Sequence, residues 1–214
     1  MRESAVLHRV KQGYTTGARS LASRSIVGLT RTRVTPNALT TAGVSLCLAA
    51  SVVVFFEYRS PWLFYWLGAF LFVVGSILDI LDGALARAGG KTTPFGAFLD
   101  STTDRVGEAA MLGAIALVFH RYDHPVALAL AFAGVAGSLL VSYTRARAEA
   151  LGLKGDVGIG SRAERVVVIT AGLVLAPISI WLLVAAISLL TATAWLTVLQ
   201  RILFVRKQLS EQER

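Results

Sequence analysis

Long uncharged runs, separated by short charged stretches, organise this chain. Val34 to Phe56 and Ser60 to Leu78 come first, Pro125 to Thr144 follows, and Val166 to Gln200 closes the series. A helix needs roughly 20 mostly apolar residues to cross a bilayer, so each of the first three runs predicts one membrane-spanning helix. The last run is too long for one span and is interrupted at Pro177, which predicts two. Between the second run and Pro125, the apolar stretch Ala109 to Phe119 is too short to cross by itself. It spans if its helix starts near Pro94 and takes Asp100 and Asp104 into the bundle. The pattern therefore predicts an all-α integral membrane protein with six transmembrane helices.

Charge placement orients the bundle, because Lys and Arg collect on the cytoplasmic side. Residues 1–33 carry Arg2, Arg9, Lys11, Arg19, Arg24, Arg31 and Arg33 against the single acid Glu3. Further basic residues lie in 79–105 and 145–165, whereas 57–59 and 120–124 hold only Arg59 and Arg121. With six spans, every basic connection falls on one side, so both termini are expected in the cytoplasm. Val6, Leu7, Val10, Leu21, Ile26 and Val27 among the arginines predict an amphipathic juxtamembrane helix on an anionic membrane surface. The scattered charges and the lack of a short apolar core argue against a cleavable signal peptide. The expected organisation is a basic juxtamembrane segment at 1–33, a six-helix membrane domain at 34–205 and a short polar tail at 206–214.

Composition adds exclusions. The chain has 214 residues, 55% hydrophobic and 16% charged, a mean hydropathy of +0.64 and a formal net charge of +8. Soluble domains carry about 25% charged residues, so a solvated enzyme is excluded. Nucleic acid is not an expected partner, because the basic residues flank apolar runs instead of covering one solvated face. The lone Cys47 excludes a disulfide framework and a cysteine metal site.

The candidate chemistry lies in Leu78 to Arg105, LDILDGALARAGGKTTPFGAFLDSTTDR. Asp79 and Asp82 share a face of the second helix, and Gly83 and Ala86 continue that stripe. On the third helix Gly96, Asp100 and Asp104 recur every four residues. If these two helices are antiparallel neighbours joined around Gly89-Gly90, four carboxylates converge at the cytoplasmic membrane edge. Uncompensated, they would be very costly. Divalent cations are the simplest remedy. An all-oxygen set suits Mg²⁺, Mn²⁺ or Ca²⁺, and two ions would balance four carboxylates in formal charge. Gly83, Ala86 and Gly96 leave room for a phosphate-bearing ligand to reach the ions, with small-residue helix packing as the other reading, and Arg87 is placed to hold a phosphate or anchor the helix end.

Asp79, Asp82, Gly83, Ala86, Arg87, Gly96, Asp100 and Asp104 fit every spacing of D-x2-D-G-x2-A-R-x8-G-x3-D-x3-D, the pattern of the CDP-alcohol phosphotransferases, and the chain resembles that family. The resemblance implies an enzyme that replaces CMP on a CDP-linked lipid by the hydroxyl of a second alcohol, with Mg²⁺ or Mn²⁺ as cofactor. It makes Asp79, Asp82 and Asp100 metal ligands, and Asp104 both a ligand and the general base. It assigns the CDP-lipid contacts to Asn37, Ala38, Leu39, Thr40, Gly83, Ala86, Arg87, Thr93 and Gly96. Helix capping after Pro36 is an equal reading for Asn37 and Thr40.

The second basic region points to the acceptor. Ser142 to Arg165, SYTRARAEALGLKGDVGIGSRAER, is similar to the corresponding stretch of family members from actinobacteria and archaea that use inositol phosphate. An anionic acceptor needs cations beyond the metals, and arginine forks match phosphate oxygens well. The resemblance assigns this role to Arg145, Arg162 or Arg165, and Arg201. The expected reaction is transfer of the phosphatidyl group of CDP-diacylglycerol to inositol phosphate, in the cell membrane of a prokaryote, by a homodimer with its active site facing the cytoplasm. Glycerol 3-phosphate as acceptor, an ether-linked lipid donor and a cation-coupled transporter stand as alternatives.

Overall fold

The computed structural model describes residues 35–90 and 92–212, which form six α-helices and one 3-10 turn at Glu57–Arg59. In chain order these are α1 (Pro36–Phe55), α2 (Pro61–Ala88), α3 (Pro94–Arg121), α4 (Pro125–Ala150), α5 (Arg162–Leu175) and α6 (Ile180–Gln212). The first four each open on proline, whose missing N–H has no intrahelical partner to lose at that position. Thr35 and Thr93 cap α1 and α3, accepting from the Ala38 N–H at 3.2 Å and the Gly96 N–H at 3.0 Å. Ser161 and Glu164 form a capping box at the start of α5. The break near Pro177 falls between α5 and α6, and the third helix starts at Pro94 as its apolar half required. α6 continues through most of the polar tail expected at 206–214. The juxtamembrane helix expected at 1–33 lies outside the described residues.

Among the described residues, α1, α2, α4 and α6 are long and apolar enough to cross a membrane. α3 is interrupted by Asp100, Asp104, Arg105 and Glu108, and α5 has 14 residues.

Close backbone approach sets how the helices pack. A Cβ on Gly43 would lie 2.9 Å from the Gly75 carbonyl oxygen, and one on Gly75 would lie 2.7 Å from that of Gly43. α1 and α2 therefore cross at a glycine pair, as small residues permit in membrane bundles. Gly107 plays the same part for α3, since a Cβ there would sit 3.0 Å from the Cys47 Cβ on α1. Buried Cys47 is thus packing. α2 and α3 are not direct packing neighbours along their lengths, contrary to the arrangement read from the sequence; α1 packs against both. The physical reason is the small residues: Gly43, Gly75 and Gly107 let α1 approach both helices closely, leaving a cleft at one end where the α2 and α3 carboxylates face each other.

Three connections meet at the end away from that cleft. The Glu57 carboxylate is 0% exposed and accepts from Arg121 Nη1 at 2.7 Å and the Tyr122 hydroxyl at 3.0 Å. Arg121 also lies over the Phe55 and Tyr58 rings, 4.9 and 4.5 Å from their centroids. Burial, and then the Glu57 charge, push the Tyr122 hydroxyl above its usual range. The His124 ring lies tilted against Trp181, centroids 4.7 Å apart, joining the third connection to this end. Arg121→Ala is expected to cost about 2 kcal/mol, below the ~3–5 kcal/mol of a fully buried broken pair because Arg121 is 30% exposed. A melting curve in detergent checks this, and turnover per folded molecule should not change.

Candidate active site

The glycine crossing carries Thr40 to the second carboxylate of α2. Its hydroxyl donates to Asp82 Oδ2, while Asp82 Oδ1 is buried with no hydrogen-bond partner. Asp79 and Asp82 are buried and Asp100 is half-buried, and each offers a carboxylate oxygen such that the three lie within 4.8 Å of one another. Three carboxylates this close repel one another unless a cation joins them. The donor set is oxygen only, and one buried oxygen points at no protein donor. These residues therefore fit a hard divalent ion.

Asp104, one turn beyond Asp100, faces a different partner. Arg162, the first residue of α5, places Nη2 2.7 Å from Asp104 Oδ1, and its Nη1 pairs with Asp79 Oδ2. Of the four sequence-predicted carboxylates, three gather as one group, and Arg162 ties the fourth, Asp104, to that group through Asp79.

Two cavities adjoin the motif carboxylates. The first, about 140 Å³, lies among α1, α2 and α3. Asp82 and Asp100 form its inner wall, and Asn37, Thr40, Gly83 and Ala86 line it together with Arg87, Thr93 and Gly96. A Cβ on Gly96 would stand 3.0 Å from Thr93 Oγ1 and 3.5 Å from Asn37 Oδ1, so glycine keeps this pocket open. Ala38 and Leu39 belong to the same turn of α1 but do not line the pocket. Thr40 both caps the carboxylate and lines the cavity, whereas the helix cap itself is Thr35.

The second cavity, about 300 Å³, has Asp104 on its wall and five arginines around it: Arg105, which sequence reasoning did not single out, and the expected Arg145, Arg162, Arg165 and Arg201. The four expected arginines differ in how far they are already engaged. Arg145 is exposed and pairs with Glu149 at 2.8 Å, within one helix turn. Arg162 is 29% exposed. Arg201 is buried, donating from Nε to the Val157 carbonyl at 2.8 Å and from Nη1 to the Val141 carbonyl. Arg165 is buried too, and grips both oxygens of Glu108.

Glu108 is the site-wall residue that sequence reasoning passed over. It extends the Gly96, Asp100, Asp104 stripe by one further step of four, a signal that was present. Thr197 and Gln208 were also missed. Thr197 accepts from the Gly160 N–H at 3.0 Å. Gln208 bonds both backbone groups of Lys154, at 3.0 and 2.8 Å, so the loop before α5 is fastened to α6 along its length.

The family model for CDP-alcohol phosphatidyltransferase matches residues 33–205. An archaetidylinositol phosphate synthase of Pyrococcus horikoshii is 36% identical over 209 residues, covering 96% of this chain and 97% of the relative. A phosphatidylinositol phosphate synthase of Cutibacterium acnes is 34% identical, covering 84% and 89%. The crystal structure of Mycobacterium tuberculosis phosphatidylinositol phosphate synthase with CDP-DAG bound superposes with a TM-score of 0.75 at 30% identity, covering 87% of this chain and 94% of that one. A second structure of that enzyme, in complex with manganese and citrate, gives a TM-score of 0.75 at 29% identity, covering 86% and 88%.

Proposed function

Because the chain belongs to the CDP-alcohol phosphatidyltransferase family, we propose that it transfers the phosphatidyl group of CDP-diacylglycerol to a hydroxyl of inositol phosphate, releasing CMP and leaving phosphatidylinositol phosphate in the membrane. One observation carries this reading: two cavities adjoin the motif carboxylates, one lined by the motif's small residues and the other by five arginines. The first fits the CMP end of a CDP-lipid. The second fits a small acceptor that bears a phosphate. Family membership sets aside the cation-coupled transporter.

In this reading Asp79, Asp82 and Asp100 hold divalent cations, Mg²⁺ or Mn²⁺, with Asp104 as a further ligand. When bound, such ions neutralise pyrophosphate charge and ease the departure of CMP. Asn37, Thr40, Arg87 and Thr93 line the donor pocket and orient the nucleotide. Arg145 and Arg162, which line the second cavity, hold the acceptor phosphate, and Arg201 on the same wall adds a third cation there. Asp104 takes the proton from the attacking hydroxyl. A bond then forms from that oxygen to the lipid-side phosphorus as the bond to CMP breaks. We place the six helices across the membrane with both termini and the active site in the cytoplasm, and the chain in a homodimer.

The experiment is an acceptor panel with protein reconstituted in vesicles, radiolabelled CDP-diacylglycerol and Mg²⁺ or Mn²⁺. CMP release should depend on inositol phosphate. Turnover with glycerol 3-phosphate or serine, and none with inositol phosphate, would overturn the acceptor. The archaetidylinositol phosphate synthase that covers 96% of this chain supports a second donor reading, an ether-linked CDP-lipid, so the panel is run with both donors.

A further inference from the structure

The start of α5 docks on α3 through two arginine–carboxylate rungs. Arg162 and Arg165 are three residues apart on α5, and Asp104 and Glu108 are four apart on α3, so each pair shares a helix face. The Arg162–Asp104 rung borders the acceptor cavity, with Arg162 29% exposed. The second rung is dry: Arg165 and Glu108 side chains are 5% and 7% exposed. Arg165 Nε and Nη2 bind the two Glu108 oxygens at 2.6 and 2.9 Å, and Nη1 donates to the Gly160 carbonyl at 2.7 Å. All three guanidinium nitrogens are thus engaged inside the protein, which suits Arg165 to holding the wall and not to binding a phosphate.

We propose that Glu108 is a positioning residue for the acceptor side: through Arg165 it holds the Gly160 carbonyl and the first turn of α5, and so sets where Arg162 meets the acceptor phosphate. The inference rests on the acceptor assignment above. A buried ion pair stabilises a fold little more than a well-packed apolar pair would, and often less. What the pair supplies is direction, since a carboxylate grips the guanidinium plane by two bonds and turns its third nitrogen onto Gly160. The loop leading to α5 needs such a guide, because Gly152 and Gly158 have φ of +73° and +122° and leave its course open to alternatives. Thr197 on the Gly160 N–H and Arg201 on the Val157 carbonyl hold the same loop from α6. Glu108 is its hold from α3.

The test separates positioning from simple adhesion. In Glu108→Gln the acceptor KM should rise about tenfold or more, since small misplacements of a substrate-holding group are costly, while the KM for CDP-diacylglycerol stays as in the parent protein. Glu108→Asp, which keeps the charge on a shorter arm, should fall between the two and must show the same split if Glu108→Gln does not fold. The double swap Glu108→Arg with Arg165→Glu restores an ion pair but leaves the Gly160 carbonyl without its donor. It should recover the melting temperature and not the acceptor KM. A swap that recovers both, or a Glu108→Gln protein whose two KM values rise together or not at all, would overturn the proposal. The parent protein's acceptor preference is measured alongside. If it turns over a different phosphorylated alcohol, the acceptor assignment fails and the KM split is read with that alcohol.

Discussion

Asp104→Asn is expected to lower CMP release by about 10²–10⁴-fold, the contribution of a positioned general base, without loss of folded protein or of CDP-diacylglycerol binding. Among the motif carboxylates Asp104 alone lines the arginine-ringed cavity, while Asp82 and Asp100 line the donor pocket. Asparagine matches the carboxylate in shape and still accepts a hydrogen bond, yet it cannot take a proton at neutral pH. The substitution removes the proton acceptor together with the charge that pairs with Arg162, so folding and donor binding are measured beside turnover. Single-turnover CMP release in vesicles, with a melting curve and a CDP-diacylglycerol binding measurement on the same preparation, separates the outcomes. Turnover near the parent rate removes Asp104 as base. A loss of donor binding equal to the loss of turnover makes it a ligand-holding residue.

The elements of the fold were legible in the sequence wherever local chemistry dictates them. Thr35-Pro36 and Thr93-Pro94 each join a capping hydroxyl to a proline in the first helical turn, and both helices start there. The placement of α1 between α2 and α3 was not legible. Apolar periodicity says that a face is buried but not which helix covers it. The Gly43–Gly75 crossing depends on two residues in different helices whose meeting no local pattern records.

The site divides in the same way. Asp79, Asp82 and Asp100 were readable because spacings of three and four put carboxylates on one helix face, where their mutual repulsion needs a cation. The division of labour among the arginines was hidden. Arg165 looked like another phosphate ligand, and only its partner, 57 residues away at Glu108, reveals that its nitrogens are already engaged. Arg162 was legible as a cation near the site, but its bridge from Asp79 to Asp104 joins three helices, and a bridge of that kind is a property of packing.

Asp82→Asn should change two measurements in opposite directions. Asp82 is 2% exposed, Thr40 occupies one of its oxygens, and the other has no protein partner. In the parent protein a cation that binds the folded state adds about 2.7 kcal/mol of stability at a hundredfold excess over its Kd, so Mn²⁺ should raise the melting temperature clearly. The variant removes one of the three gathered carboxylates. The Mn²⁺-dependent rise should then largely disappear, and turnover should fall on the order of 10³-fold as several kcal/mol of charge stabilisation are lost. With chelator present the direction reverses, because one buried anion fewer relieves repulsion from Asp79 and Asp100 and removes a desolvation cost. The metal-free variant should melt at or above the parent temperature. Calorimetry with and without Mn²⁺ gives both numbers. A variant that melts lower in chelator yet keeps the full Mn²⁺ rise would mean that Asp82 serves the packing of α1 on α2 through Thr40, and that the cation is held elsewhere.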